Sequence, residues 1–107
     1  ECQDNVAPVE TGMNIQATGW FVSDNYVISA CQNSIFSWSV APNANGTASL
    51  SMYFCDRTQC QYLANEVRTD MTAPLTGQAS GNIQSGTYFI VVENTLQPWS
   101  VILECND

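Results

Sequence analysis

Apolar and polar residues alternate with a period of two along much of this chain. Phe36, Trp38 and Val40 share one side of an extended backbone, while Ser37 and Ser39 take the other. Ala48, Leu50, Met52 and Phe54 oppose Ser49, Ser51 and Tyr53 in the same way, and Trp99, Val101, Leu103 and Cys105 oppose Ser100, Ile102 and Glu104. Such alternation marks an antiparallel strand with one face on a core and the other toward water. Tyr88 to Val92 is apolar throughout, which predicts a central strand covered on both faces.

Extending these runs predicts strands over Asn14–Val22, Tyr26–Cys31, Ile35–Ala41, Thr47–Cys55, Cys60–Val67, Thr87–Glu93 and Trp99–Cys105. Tyr62, Leu63 and Val67 are also spaced for a short helical turn. Turn chemistry separates the runs: Ser23-Asp24-Asn25, Asn43-Ala44-Asn45-Gly46, Ser85-Gly86 and the stretch from Asn94 to Pro98. Asn45-Gly46 supplies the positive φ of a tight hairpin. Residues 1–13 show no periodicity and read as an N-terminal arm or edge strand, ahead of one domain over 14–107. The pattern predicts an all-β, antiparallel two-sheet sandwich of jelly-roll type, with seven or eight strands.

The segment Gly86-Thr87-Tyr88-Phe89-Ile90-Val91-Val92-Glu93-Asn94, followed by Pro98-Trp99-Ser100-Val101, resembles the last two strands of pre-peptidase C-terminal and CUB-like modules. That resemblance covers 13 of 107 residues. It implies a secreted, generally non-enzymatic β-sandwich with a role in adhesion or substrate binding.

Charge narrows the functions available. Ten acids face only Arg57 and Arg68, with no Lys or His, for a net charge of −8. Such a chain repels phosphate backbones and anionic lipid surfaces, so neither nucleic acid nor a membrane is an expected partner. No stretch is long and apolar enough to be a spanning helix. Without His or Lys, a serine triad lacks its base and a Ser–Lys pair lacks its partner. A carboxylate pair drawn from Asp24, Asp56, Glu66, Asp70 or Glu93 is the one acid–base arrangement left, and nothing in the spacing joins two of them. The chain reads as a non-enzyme.

Five cysteines, Cys2, Cys31, Cys55, Cys60 and Cys105, favour an oxidising compartment. A start at Glu1 fits a mature chain after signal-peptide removal. Sequence alone leaves the pairing open. The preferred arrangement is Cys55–Cys60, around the loop Asp56-Arg57-Thr58-Gln59, with Cys31–Cys105, leaving Cys2 for another chain.

Three further features bear on ligands. Acidic turns at Asp24-Asn25, Asp56, Asp70 and Glu93-Asn94 are candidates for Ca²⁺, although turn preference alone accounts for them. Trp20, Phe21 and Tyr26, with Tyr53 and Tyr62, are candidates for stacking on sugar rings. Asn45-Gly46-Thr47 is an N-glycosylation sequon at a predicted turn. These features give three expectations: an extracellular structural protein that self-associates into a filament or surface layer through Cys2 and residues 1–13, a carbohydrate-binding or adhesion module, and a small secreted toxin, effector or inhibitor.

Overall fold

The computed structural model describes residues 9–10 and 12–107. Its strands are β1 (Val9–Glu10), β2 (Met13–Thr18), β3 (Phe21–Val22), β4 (Tyr26–Ile28) and β5 (Cys31–Val40). They continue with β6 (Ala48–Cys55), β7 (Cys60–Arg68), β8 (Leu75–Ile83), β9 (Gly86–Glu93) and β10 (Pro98–Cys105). No helix occurs among the described residues.

The strands form two packed sheets. One, with the order β2-β10-β5-β8, is antiparallel throughout. The other follows β4-β9-β6-β7, with β1 added in parallel to β4 and β3 pairing β9 beside it. The two interleaved four-strand paths are those of a jelly roll. Consecutive strands mostly change sheet, and β6–β7 is a hairpin within one sheet.

The core lies where the alternating faces meet. Phe36, Trp38 and Val40 from β5 and Trp99, Val101 and Leu103 from β10 face Leu50, Met52 and Phe54 from β6 and Ile90 and Val92 from β9. Leu50, Met52 and Ile90 are wholly buried, and burial of each side chain is worth about 1.5–3 kcal/mol. Phe36 packs edge-on against Phe54, whose other face stacks on Tyr88 at 4.5 Å. Trp99 donates its indole N–H to the Gly19 carbonyl.

Several expectations need correction. The run Asn14–Val22 is broken at Gly19, which has φ +77°; β2 and β3 on either side of it belong to different sheets. β5 begins at Cys31, so the expected Tyr26–Cys31 strand ends at Ile28. Asn43-Ala44-Asn45-Gly46 carries the chain from one sheet to the other and closes no hairpin, although Gly46 does have positive φ. The residues that also suited a helical turn lie in β7. β9 is central, but Phe89 and Val91 on its outer face are only half-buried. β8 is absent from the expected strands because its core-facing positions include Gly77, Ala79 and Gly81, too small to register as a hydrophobic stripe.

Candidate functional site

Cys31 is bonded to Cys105, and Cys55 to Cys60, the pairs preferred from the sequence. The first ties the start of β5 to the end of β10; the second closes the β6–β7 hairpin. Both fit an oxidising compartment. Cys2, and with it the proposed intermolecular bond, lies outside the described residues, as does most of the 1–13 arm.

The proposed sugar-stacking set is dispersed. Trp20 is 66% exposed and borders a shallow hollow of about 250 Å³ with Asn43, Thr47, Asn94, Leu96 and Gln97. Phe21 instead turns inward, edge-on to Trp99 at 5.6 Å. Tyr26 packs against the core. Tyr53 and Tyr62 lie together on the outer face of β6–β7, with centroids 4.7 Å apart. Tyr53 donates to the Tyr62 oxygen at 3.3 Å, and that bond, with Glu93 nearby, pushes the Tyr53 pKa up to about 12.

Nor do the acidic turns converge. The one trio of candidate metal ligands among the described residues is Cys31, Cys105 and Asp107, and its two sulfurs are already bonded to each other. The Asp107 carboxylate accepts from the Gln32 and Asn33 amides. Asp56 caps its own turn: Oδ1 accepts from the Thr58 and Gln59 amides and the Thr58 hydroxyl. Those bonds hold its carboxyl below the usual carboxylate range. Asn45 is exposed.

Two other features stand out. The first is the pair of edges of the β2-β10-β5-β8 sheet. Among the described residues, β2 pairs only with β10, and β8 only with β5. Neither strand carries a charged residue or a proline; the one register shift in the β5–β8 pairing lies at the end of β8, where β5 has the extra residue between Cys31 and Ser34. Sheet edges are normally guarded by such features. The contrast lies in β7, an edge of the other sheet, which carries Glu66 and Arg68 as an ion pair and a bulge opposite Met52 and Tyr53.

The second is a groove of about 440 Å³ where β7 and β8 splay apart at one end of the sandwich. Phe36, Phe54 and Tyr88 form its floor, and the amides of Gln59, Gln61, Asn82 and Gln84 its rim. Tyr88 donates its hydroxyl to the Gln84 carbonyl at 2.6 Å, and burial with the nearby Asp56 charge raises its pKa. These amides were missed from the sequence because half of them belong to β8 and its following turn, where no strand was expected.

No protein-family model matches this chain, and no curated protein matches it as a relative.

Proposed function

We propose that this is a non-enzymatic, secreted structural protein that self-associates by joining sheets edge to edge, β8 of one copy pairing with β2 of the next. The observation that carries this reading is the pair of uncharged strands on one sheet, β2 and β8, each with one side unpaired among the described residues. An open edge offers a row of unpaired N–H and C=O groups, and a second chain is the natural partner for it. Each copy holds two different edges, so the contact is head-to-tail, the kind that propagates into an open filament when its rotation does not close a ring.

Electrostatics supports the same geometry. A chain of net charge −8 resists self-association in general. Here β2, β5 and β8 carry no charge, and Glu104 is the one charged residue of β10. Copies that meet along this sheet therefore bring together neutral surfaces.

The test introduces one lysine into each edge, Gln78→Lys on β8 and Gln16→Lys on β2, both at exposed positions. Wild-type protein is expected to form long assemblies by light scattering and electron microscopy, and each variant to stay monomeric. A wild-type chain that remains monomeric at high concentration overturns the reading. Assembly lost in one variant and kept in the other overturns the head-to-tail arrangement. The covalent link through Cys2 is a separate proposal, tested by comparing non-reducing and reducing gels.

A further inference from the structure

We infer that the groove between β7 and β8 is a binding site for a neutral saccharide chain; it shares β8 with the self-association proposed above and is argued and tested on the single copy. Its volume, about 440 Å³, falls in the range of sites that hold small organic ligands. Its chemistry is more telling than its size.

The floor is aromatic. Tyr88 is stacked on Phe54 with 14° between the ring planes, and it is half-buried, leaving part of its ring open to the groove. Such a surface suits the C–H face of a sugar ring, which has apolar area and no charge. The rim supplies four primary amides. Each carries two donors and a two-lone-pair acceptor, and the side-chain amides of Gln59, Gln61, Asn82 and Gln84 have no hydrogen-bond partner among the described residues. A ligand able to satisfy mixed donors and acceptors on every side is one rich in hydroxyls, since each hydroxyl both donates and accepts.

Charge removes the competing ligand classes. Neither Arg57 nor Arg68 lines the groove, and Asp56 is its one ionisable acid. Phosphorylated, sulfated and uronic-acid ligands would meet a carboxylate with no cation to offset it. The groove is also open: an added Cβ at Gly81 on its wall would meet nothing within 4 Å. A chain can therefore enter and leave along its length.

The experiment uses the Gln78→Lys background, because Gln78 does not line the groove and this variant is designed to stay monomeric. If it still assembles, the assembly reading has failed on its own, and binding is scored on wild-type protein at a dilution that keeps it monomeric. Amide NMR shifts are followed with four probes: tetrasaccharides of β-1,4-glucose, β-1,4-mannose and β-1,4-N-acetylglucosamine, and tetragalacturonate as the anionic one. Shifts confined to residues 56–61 and 79–88 with at least one neutral probe, and none with tetragalacturonate, are the expected result. Asn82→Ala with Gln61→Ala should then weaken binding by about tenfold or more, while the melting temperature is unchanged. Silence with all three neutral probes, shifts centred elsewhere, equal response to tetragalacturonate, or affinity unmoved by the double variant each overturns the proposal.

Discussion

Trp38 on β5 lies directly across from Gly77 on β8, and its indole fills the space that a side chain at Gly77 would take. A Cβ built at Gly77 would sit 2.6–2.7 Å from three atoms of that ring. A large aromatic thus covers a glycine on an edge strand, a pairing that restores packing where the strand has no side chain of its own.

This relationship predicts opposite outcomes for two glycines on one strand. Gly77→Ala forces the Trp38 ring from its place in the core and is expected to cost about 1–3 kcal/mol, as overpacking does. Gly81→Ala meets open space and should be neutral or slightly stabilising, since alanine loses less backbone entropy than glycine in a strand. Urea unfolding of the two variants decides the matter, and equal costs would refute it.

The two core tryptophans should differ when their indole N–H is removed. Trp99 Nε1 donates to the Gly19 carbonyl at 2.8 Å, whereas Trp38 Nε1 is buried without a partner among the described residues. Trp99→Phe strands the Gly19 carbonyl, and Trp38→Phe strands nothing. Trp99→Phe is therefore expected to cost about 1 kcal/mol more than Trp38→Phe, measured as the difference in unfolding free energy.

Tyr53 offers a spectroscopic handle. Its phenol is pushed up to about 12, chiefly by donation to Tyr62 and then by burial. Tyr62→Phe removes that acceptor, so the Tyr53 transition should move down toward the ordinary tyrosine value of about 10 in an ultraviolet pH titration. The sign for stability follows. A phenol whose pKa is raised by folding contributes stability below its unfolded pKa, and loses it as pH rises through the folded value. Wild-type protein should lose this contribution between about pH 10 and 12, and Tyr62→Phe should show a weaker loss there.

Asp56 works in the opposite direction. Its carboxyl is held low chiefly by the Thr58 amide, then by the Thr58 hydroxyl and the Gln59 amide. A depressed carboxyl gives stability that is present above its unfolded pKa and lost as pH falls through the folded one. Acidification should therefore loosen the 55–60 turn, and Asp56→Ala should remove that pH dependence. Amide exchange of Thr58 and Gln59 reports both.

The disulfides differ in what they constrain. Cys31–Cys105 spans 74 residues and Cys55–Cys60 spans 5. Loop-entropy reasoning gives about 4 kcal/mol for the long loop and about 2 kcal/mol for the short one. Replacing Cys31 and Cys105 with alanine should lower the unfolding midpoint more than replacing Cys55 and Cys60.

The fold was legible wherever one face of a strand was large and apolar. β5, β6 and β10 could be read from Phe36, Leu50 and Val101 and their neighbours, because burial at a period of two leaves that signature. β8 obeys the same period in size rather than in hydrophobicity, and so it escaped. The turn at Asn45-Gly46 was recognised as a turn, but which sheet it led to was not, since two runs facing one core from opposite sides carry identical patterns. The dispersal of the sugar-stacking candidates has a related reason. Exposure is not written in an aromatic residue itself: Trp20 follows the break at Gly19 and stays outside, while Phe21, one position on, enters β3 and reaches Trp99. The groove was illegible because its rim joins residues from β7 and β8 that only tertiary packing brings together.

The bond between Cys31 and Cys105 also bears on how such a protein would respond to pulling. Everything from β5 to β10 lies inside that covalent loop, so force applied at either end cannot lengthen those strands. β2, β3 and β4 lie outside it, and β2 is the very strand proposed to hold the next copy. Pulling on the two chain ends should therefore peel β2 from β10, with an extension set by the residues outside Cys31–Cys105, and leave the strands from β5 to β10 folded.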